Sequence, residues 1–248
     1  MIGQYLYKYG FNVDFAPDVD VLTNMENTII GDRSFGSDKD TVVTFGKAYS
    51  DGLHEHEIMS TFKHFPGHGA TKEDTHKGYA YTDTTYSELL ENELQPFMKA
   101  EEYGVDFVMV SHISLPEIIG DETPCSLSQE MVTSVLRNEF GYNGIIITDA
   151  LNMGAISELY DSGEAAKKAV MAGCDLLLTP VDFDKAYNSI LSAVKSNEIS
   201  EARIDESMER IIKTKYRCLE ENFSNEPIDY DDLAETYISD MEIDEAIK

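Results

Sequence analysis

The sequence predicts an α/β fold of parallel strands, of the (β/α)8 TIM-barrel type. Three observations predict it. Short apolar runs alternate with longer helical patterns, as in a chain of strand–helix units. The runs at 105–112 and 144–149 are nearly continuous, which suits strands covered on both faces. Polar side chains collect where runs end, at Asp18, from His64 to His76, at His112 and at Asp149. In a parallel barrel that end is the catalytic face. An open doubly wound sheet would show the same clustering. It would usually carry a glycine-rich phosphate loop, and no GxGxxG follows any run here.

In order, residues 1–9 read as a helix end, with Ile2, Leu6 and Tyr9 at helical spacing and Gly10 as cap. Residues 11–17 form a strand ending at Pro17. A polar loop, 18–38, holds the turn Gly31-Asp32-Arg33-Ser34-Phe35-Gly36. A helix at 41–53 offers Val42, Val43, Phe45 and Tyr49 to the core, and 59–64 is the next strand. A helix at 86–103 carries Leu89, Leu90, Leu94, Phe97 and Met98, with a bend at Pro96. After strand 105–112, Ser128 caps a helix striped by Met131, Val132, Val135, Leu136 and Phe140. Strand 144–149, helix 164–172, strand 175–179 and helix 183–196 follow. The last helix, 202–219, turns Ile204, Met208, Ile211 and Ile212 inward. Residues 1–223 thus form the barrel domain, and 224–248 a tail of nine acids and one base.

The 248 residues are 42% hydrophobic, enough for one large core. A net charge of -28 repels nucleic acid and anionic membrane. No apolar run approaches the roughly 20 residues of a membrane span. Cys125, Cys174 and Cys218 form no CxxC pair, and their odd count argues against a disulfide framework. They read as structural thiols.

The densest chemistry lies in 63–76, where His64, His68 and His76 share fourteen residues with Pro66, Gly67 and Gly69. The glycines and proline say loop, and packing explains so many titratable groups in a loop poorly. His64 and His68 have i, i+4 spacing, but Pro66 and Gly67 oppose a helix, and Phe65 stands where a zincin needs Glu. No metal or other cofactor is expected.

Asp149 closes an apolar strand. Its carboxylate is either a cap for the segment that follows or a nucleophile that forms a covalent intermediate. Such a mechanism needs a group that gives and then takes a proton. His76 is the candidate, since imidazole titrates near neutral pH, with Asp74 fixing its tautomer.

Four stretches occur in order: Asn12-Val13-Asp14-Phe15-Ala16-Pro17, Gly31-Asp32-Arg33-Ser34-Phe35-Gly36, Lys63-His64-Phe65-Pro66-Gly67-His68-Gly69 with Asp74-x-His76, and Ile147-Thr148-Asp149-Ala150-Leu151-Asn152-Met153. Together they resemble the β-N-acetylglucosaminidase branch of glycoside hydrolase family 3. The resemblance implies a retaining exo-β-N-acetylglucosaminidase acting on peptidoglycan fragments, including muropeptides, or on chitooligosaccharides. It implies Asp149 as nucleophile, Asp74 and His76 as the acid/base dyad, and Arg33, Lys63 and His64 as sugar-binding residues. The family's barrel opens with further strands and an Asp-x-Glu-Gly-Gly type motif, which this sequence lacks. About five strands are legible where a closed barrel needs eight. The expected fold is therefore a barrel incomplete at its N-terminus, finished by an upstream segment or a separate chain. The compartment is taken as cytoplasmic, with secretion left open for the same reason.

Three other readings stand beside this one. A phosphorylase of the same family would use phosphate in place of water. A truncated remnant would bind sugar without turnover. A zinc hydrolase would use His64, His68 and His76.

Overall fold

The computed structural model of the protein describes residues 1–71 and 80–222. Asp74, His76 and the tail 224–248 lie outside the described residues. Four strands form one parallel sheet in chain order: β1 (Thr61–Phe65), β2 (Phe107–Val110), β3 (Ile145–Ala150) and β4 (Leu176–Leu178). Residues 13–18 run beside β1 through the parallel bridges Val13–Met59 and Asp18–Lys63. All five expected strand segments are therefore neighbours in the expected order. Among the described residues the sheet does not close into a barrel.

Successive side chains in a strand point to opposite faces, and the two faces of this sheet hold different clusters. Phe62, Val108, Val110 and Ile146 pack against the helices. Met59, Phe107, Met109, Ile145 and Ile147 line the other face. By the same alternation Asp149 shares the inner face with Ile145 and Ile147. Lys63, paired with Met109, shares it too. Ile211 of helix α9 (Glu201–Asn222) packs against this inner cluster.

Before α9 come helices α1 (Ile2–Lys8), α2 (Lys39–His54), α3 (Tyr86–Glu91), α4 (Gln95–Met98), α5 (Pro116–Ile119), α6 (Gly154–Ser157), α7 (Ser162–Ala172) and α8 (Phe183–Lys195). A helix of π register spans Glu130–Glu139. It buries Met131, Val132, Val135 and Leu136, and Ser128 Oγ accepts the Met131 amide at 3.4 Å.

Several sequence expectations need correction. The segment 18–38 does not begin as a polar loop, because Asp18, Val19, Asp20 and Val21 are all buried. Helix α2 buries Val42, Gly46, Ser50 and Leu53, while Phe45 is exposed and stacks on Phe35 at 5.7 Å. The long helix at 86–103 is two short ones, broken at Asn92, with Pro96 in the first turn of α4. Pro is well placed there, since that turn needs no amide donor. Met98, Met208 and Ile212 are exposed.

Cys125 and Cys174 are free and buried, and burial pushes the Cys174 thiol up to about 12. The Cys218 side chain lies outside the described set. No helix among the described residues is long and apolar enough to cross a membrane.

Helix α7 is held at its start by Asp161, whose Oδ1 accepts the amides of Gly163 (2.9 Å) and Glu164 (3.0 Å). Asp161→Ala removes both bonds. The expected cost is a fall of about 2–4 °C in Tm for a chain of this size. Thermal unfolding followed by circular dichroism checks it, and an unchanged Tm would show that the cap is dispensable.

Candidate active site

The sheet delivers its polar residues to one end. Lys63 and His64 lie near the end of β1, and Asp149 near the end of β3. Arg33 comes from the short helical turn Gly31–Arg33. These four, with His68, line a cavity of about 230 Å³. The structure thus brings together Arg33, Lys63, His64 and Asp149. Asp74 and His76 fall outside the described residues. A larger hollow, about 420 Å³, sits at the opposite end of the strands beside Asp106, Arg210 and Arg217. In a parallel barrel that end serves stability rather than chemistry.

Each side chain is held by a specific device. Asn27 donates to the His68 carbonyl at 2.7 Å, and its Oδ1 accepts the amides of Ile29 and Ile30. The Ile29 carbonyl then accepts from Arg33 Nη2 at 2.8 Å. One asparagine therefore ties the arginine turn to the histidine loop. Asp149 Oδ1 accepts the Ala150 amide at 2.7 Å. The Ala150 carbonyl lies 3.0 Å from His112 Nε2, whose Nδ1 is 2.7 Å from the Ser126 hydroxyl. His112 thus braces the strand end that carries Asp149.

The loop after β1 is not a solvated turn. Phe65, Pro66, Gly67, His68 and Gly69 are buried. A Cβ on Gly69 would sit 1.9 Å from the Val21 carbonyl oxygen, so only glycine permits this approach. Packing therefore explains part of the loop, contrary to the reading from sequence.

Behind the cavity lies a cluster of Asp18, His64 and Asp20, of which the sequence reading named the first two and missed Asp20. Asp20 is fully buried and accepts the amides of His68 (2.6 Å) and His64 (3.3 Å). Its Oδ2 is 2.7 Å from His64 Nδ1. Burial pushes the Asp20 carboxyl up against the pull of these donors. Burial first, and the Asp20 charge second, raise Asp18 to about 7. Burial lowers His64 to about 4 and lowers His68 and His112, so all three rings are neutral at pH 7. A neutral His64 that donates Nδ1–H to Asp20 keeps Nε2 as an acceptor. The available signal was the alternation in Asp18-Val19-Asp20-Val21, a strand pattern of acids and valines.

Comparison with known proteins places this arrangement. The model of the "Glycosyl hydrolase family 3 N terminal domain" matches residues 1–214. "Beta-hexosaminidase LpqI" of Mycobacterium tuberculosis is 34% identical over 221 residues, covering 86% of this chain and 56% of that protein. A glycoside hydrolase family 3 β-N-acetylglucosaminidase from Paenibacillus sp. str. FPU-7 superposes with a TM-score of 0.88 at 37% identity, over 92% of this chain and 44% of the other. A structure described as "Beta-glucoside phosphorylase BglX" superposes with a TM-score of 0.85 at 26% identity, over 91% and 43%. The chain spans about half the length of the curated relatives it matches. With the parallel sheet, the polar end of its strands and this match across most of its length, the chain belongs to glycosyl hydrolase family 3.

Proposed function

We propose that the protein is a retaining exo-β-N-acetylglucosaminidase that removes terminal β-linked N-acetylglucosamine from peptidoglycan fragments or chitooligosaccharides. The observation that carries this reading is the cavity shared by Asp149, Arg33, Lys63 and His64. Asp149 attacks the anomeric carbon, and the covalent intermediate is then hydrolysed. Arg33, Lys63 and the acceptor nitrogen of His64 hold the sugar hydroxyls. His76, oriented by Asp74, gives the proton to the leaving oxygen and later takes one from water. The names of the relatives, β-hexosaminidase and β-N-acetylglucosaminidase, favour this sugar over glucose.

The test is initial-rate turnover by the 248-residue chain of an aryl β-N-acetylglucosaminide and of the matching β-glucoside. Turnover of the first alone is expected. Turnover of neither by a folded chain would favour the remnant reading, in which this domain binds sugar without turnover or assembles with another polypeptide.

The similarity to a β-glucoside phosphorylase favours a second reading. A neutral histidine base repels incoming phosphate less than a carboxylate base does. Adding phosphate to the assay separates the two, since a phosphorylase releases sugar-1-phosphate and a hydrolase the free sugar.

A further inference from the structure

We infer that Asp18, Asp20 and His64 form a binding site for a divalent transition-metal ion such as Zn²⁺. Each offers one ligand atom, and the three atoms lie within 4.8 Å of one another. His64 Nδ1 is 2.7 Å from Asp20 Oδ2 and 3.9 Å from Asp18 Oδ2. Asp18 is 7% exposed, and its Oδ2 is buried with no hydrogen-bond partner among the described residues. A carboxylate oxygen in that state costs free energy until a cation or a donor reaches it.

The nearest positive charge among the described residues does not fill this role. Arg33 Nη1 stands 3.6 Å from Asp18 Oδ2, beyond hydrogen-bond distance, while its Nη2 is bonded to the Ile29 carbonyl. The Arg33 side chain is about half exposed at 47% and has room to withdraw as a metal enters. Both carboxylates are already oriented by main chain, as supporting shells around metal ligands are. Asp18 Oδ1 accepts the Asp20 amide at 3.1 Å, and Asp20 Oδ1 accepts the His68 amide at 2.6 Å.

The donor set selects the ion. One imidazole and two carboxylates suit Zn²⁺ or its first-row neighbours, whereas Mg²⁺ and Ca²⁺ prefer oxygen alone. Three protein ligands leave a fourth position open. His64 also lines the cavity, so an ion has a route in. The contact between His64 and Asp20 must open by roughly half an ångström to seat an ion with bonds of about 2.0–2.1 Å. When Nδ1 binds the ion, the ring proton sits on Nε2. That nitrogen then changes from acceptor to donor, and the cavity offers a sugar hydroxyl a different partner.

The experiment is calorimetric titration of the metal-free 248-residue chain with Zn²⁺, without any saccharide. One ion per chain is expected, with affinity at least tenfold weaker in Asp18→Asn. Absence of binding, or equal affinity in the variant, would overturn the site. X-ray absorption of the Zn²⁺-loaded wild type needs no variant. It is expected to show a single imidazole with oxygen neighbours, and two imidazoles or none would refute the assignment. Because no sugar is present, failure here is separate from failure of the proposed hydrolase activity.

Discussion

Asp149→Asn is expected to lower turnover of an aryl β-N-acetylglucosaminide by about 10³-fold or more, since loss of a covalent nucleophile costs up to about 10⁶-fold in other hydrolases. The substitution preserves size and keeps an oxygen for the Ala150 amide, so the strand end that His112 braces stays in place. What is lost, on the proposed mechanism, is the negative charge that attacks the anomeric carbon. The effect belongs in kcat, because an amide still permits binding by Arg33, Lys63 and His64. A second measurement identifies the chemistry. In Asp149→Ala, added azide is expected to restore turnover and yield a glycosyl azide of inverted configuration, because a small anion enters where the carboxylate stood. Retention of more than a tenth of the wild-type rate by Asp149→Asn would remove Asp149 from the nucleophile role.

Loss of Asp175 is expected to be the most damaging change to stability. Its side chain is fully buried beside three arginines. Oδ2 accepts from Arg137 at 2.8 Å and from the Ile146 amide at 3.0 Å. Oδ1 accepts from Ser207 at 2.6 Å and from Arg210 at 3.0 Å. Arg203 lies 3.9 Å away. This one carboxylate joins the π-register helix, the start of β3 and helix α9. Asp175→Ala leaves buried guanidinium charge without its partner, which costs about 3–5 kcal/mol. Against a total stability of about 5–15 kcal/mol, most of the margin disappears. Urea unfolding followed by circular dichroism measures it. A loss below about 1 kcal/mol would mean that the arginines find other acceptors. Glu209→Gln, which breaks the exposed pair with Lys213, is the control and is expected to leave the midpoint unchanged.

How far the sequence speaks depends on which force places a residue. Near-continuous hydrophobic runs placed β2 and β3, because a strand buried on both faces has to be apolar throughout. The position of Asp149 followed from the end of such a run. Helix faces were harder. The buried face of α2 uses Gly46 and Ser50, whose small size lets Val19 and Ser60 approach. Apolar spacing therefore pointed to Phe45, which lies outside. Buried acids were harder still. Asp20 looked like part of a loop because its partners, the amides and ring of the histidine loop, are more than forty residues away. The break at Asn92 had no local signal beyond Pro96, since propensity carries a helix on unless tertiary packing interrupts it.

The sheet order has a consequence for how the molecule is made. Thr61 meets Phe107, Phe107 meets Ile145, and Ile147 meets Leu176, so each strand pairs with the one before it. Each pairing closes a long loop, which slows folding from a fully extended chain. Synthesis proceeds from the N-terminus, and elements formed early wait for later ones. On the ribosome, β2, β3 and β4 each emerge after the neighbour that receives them.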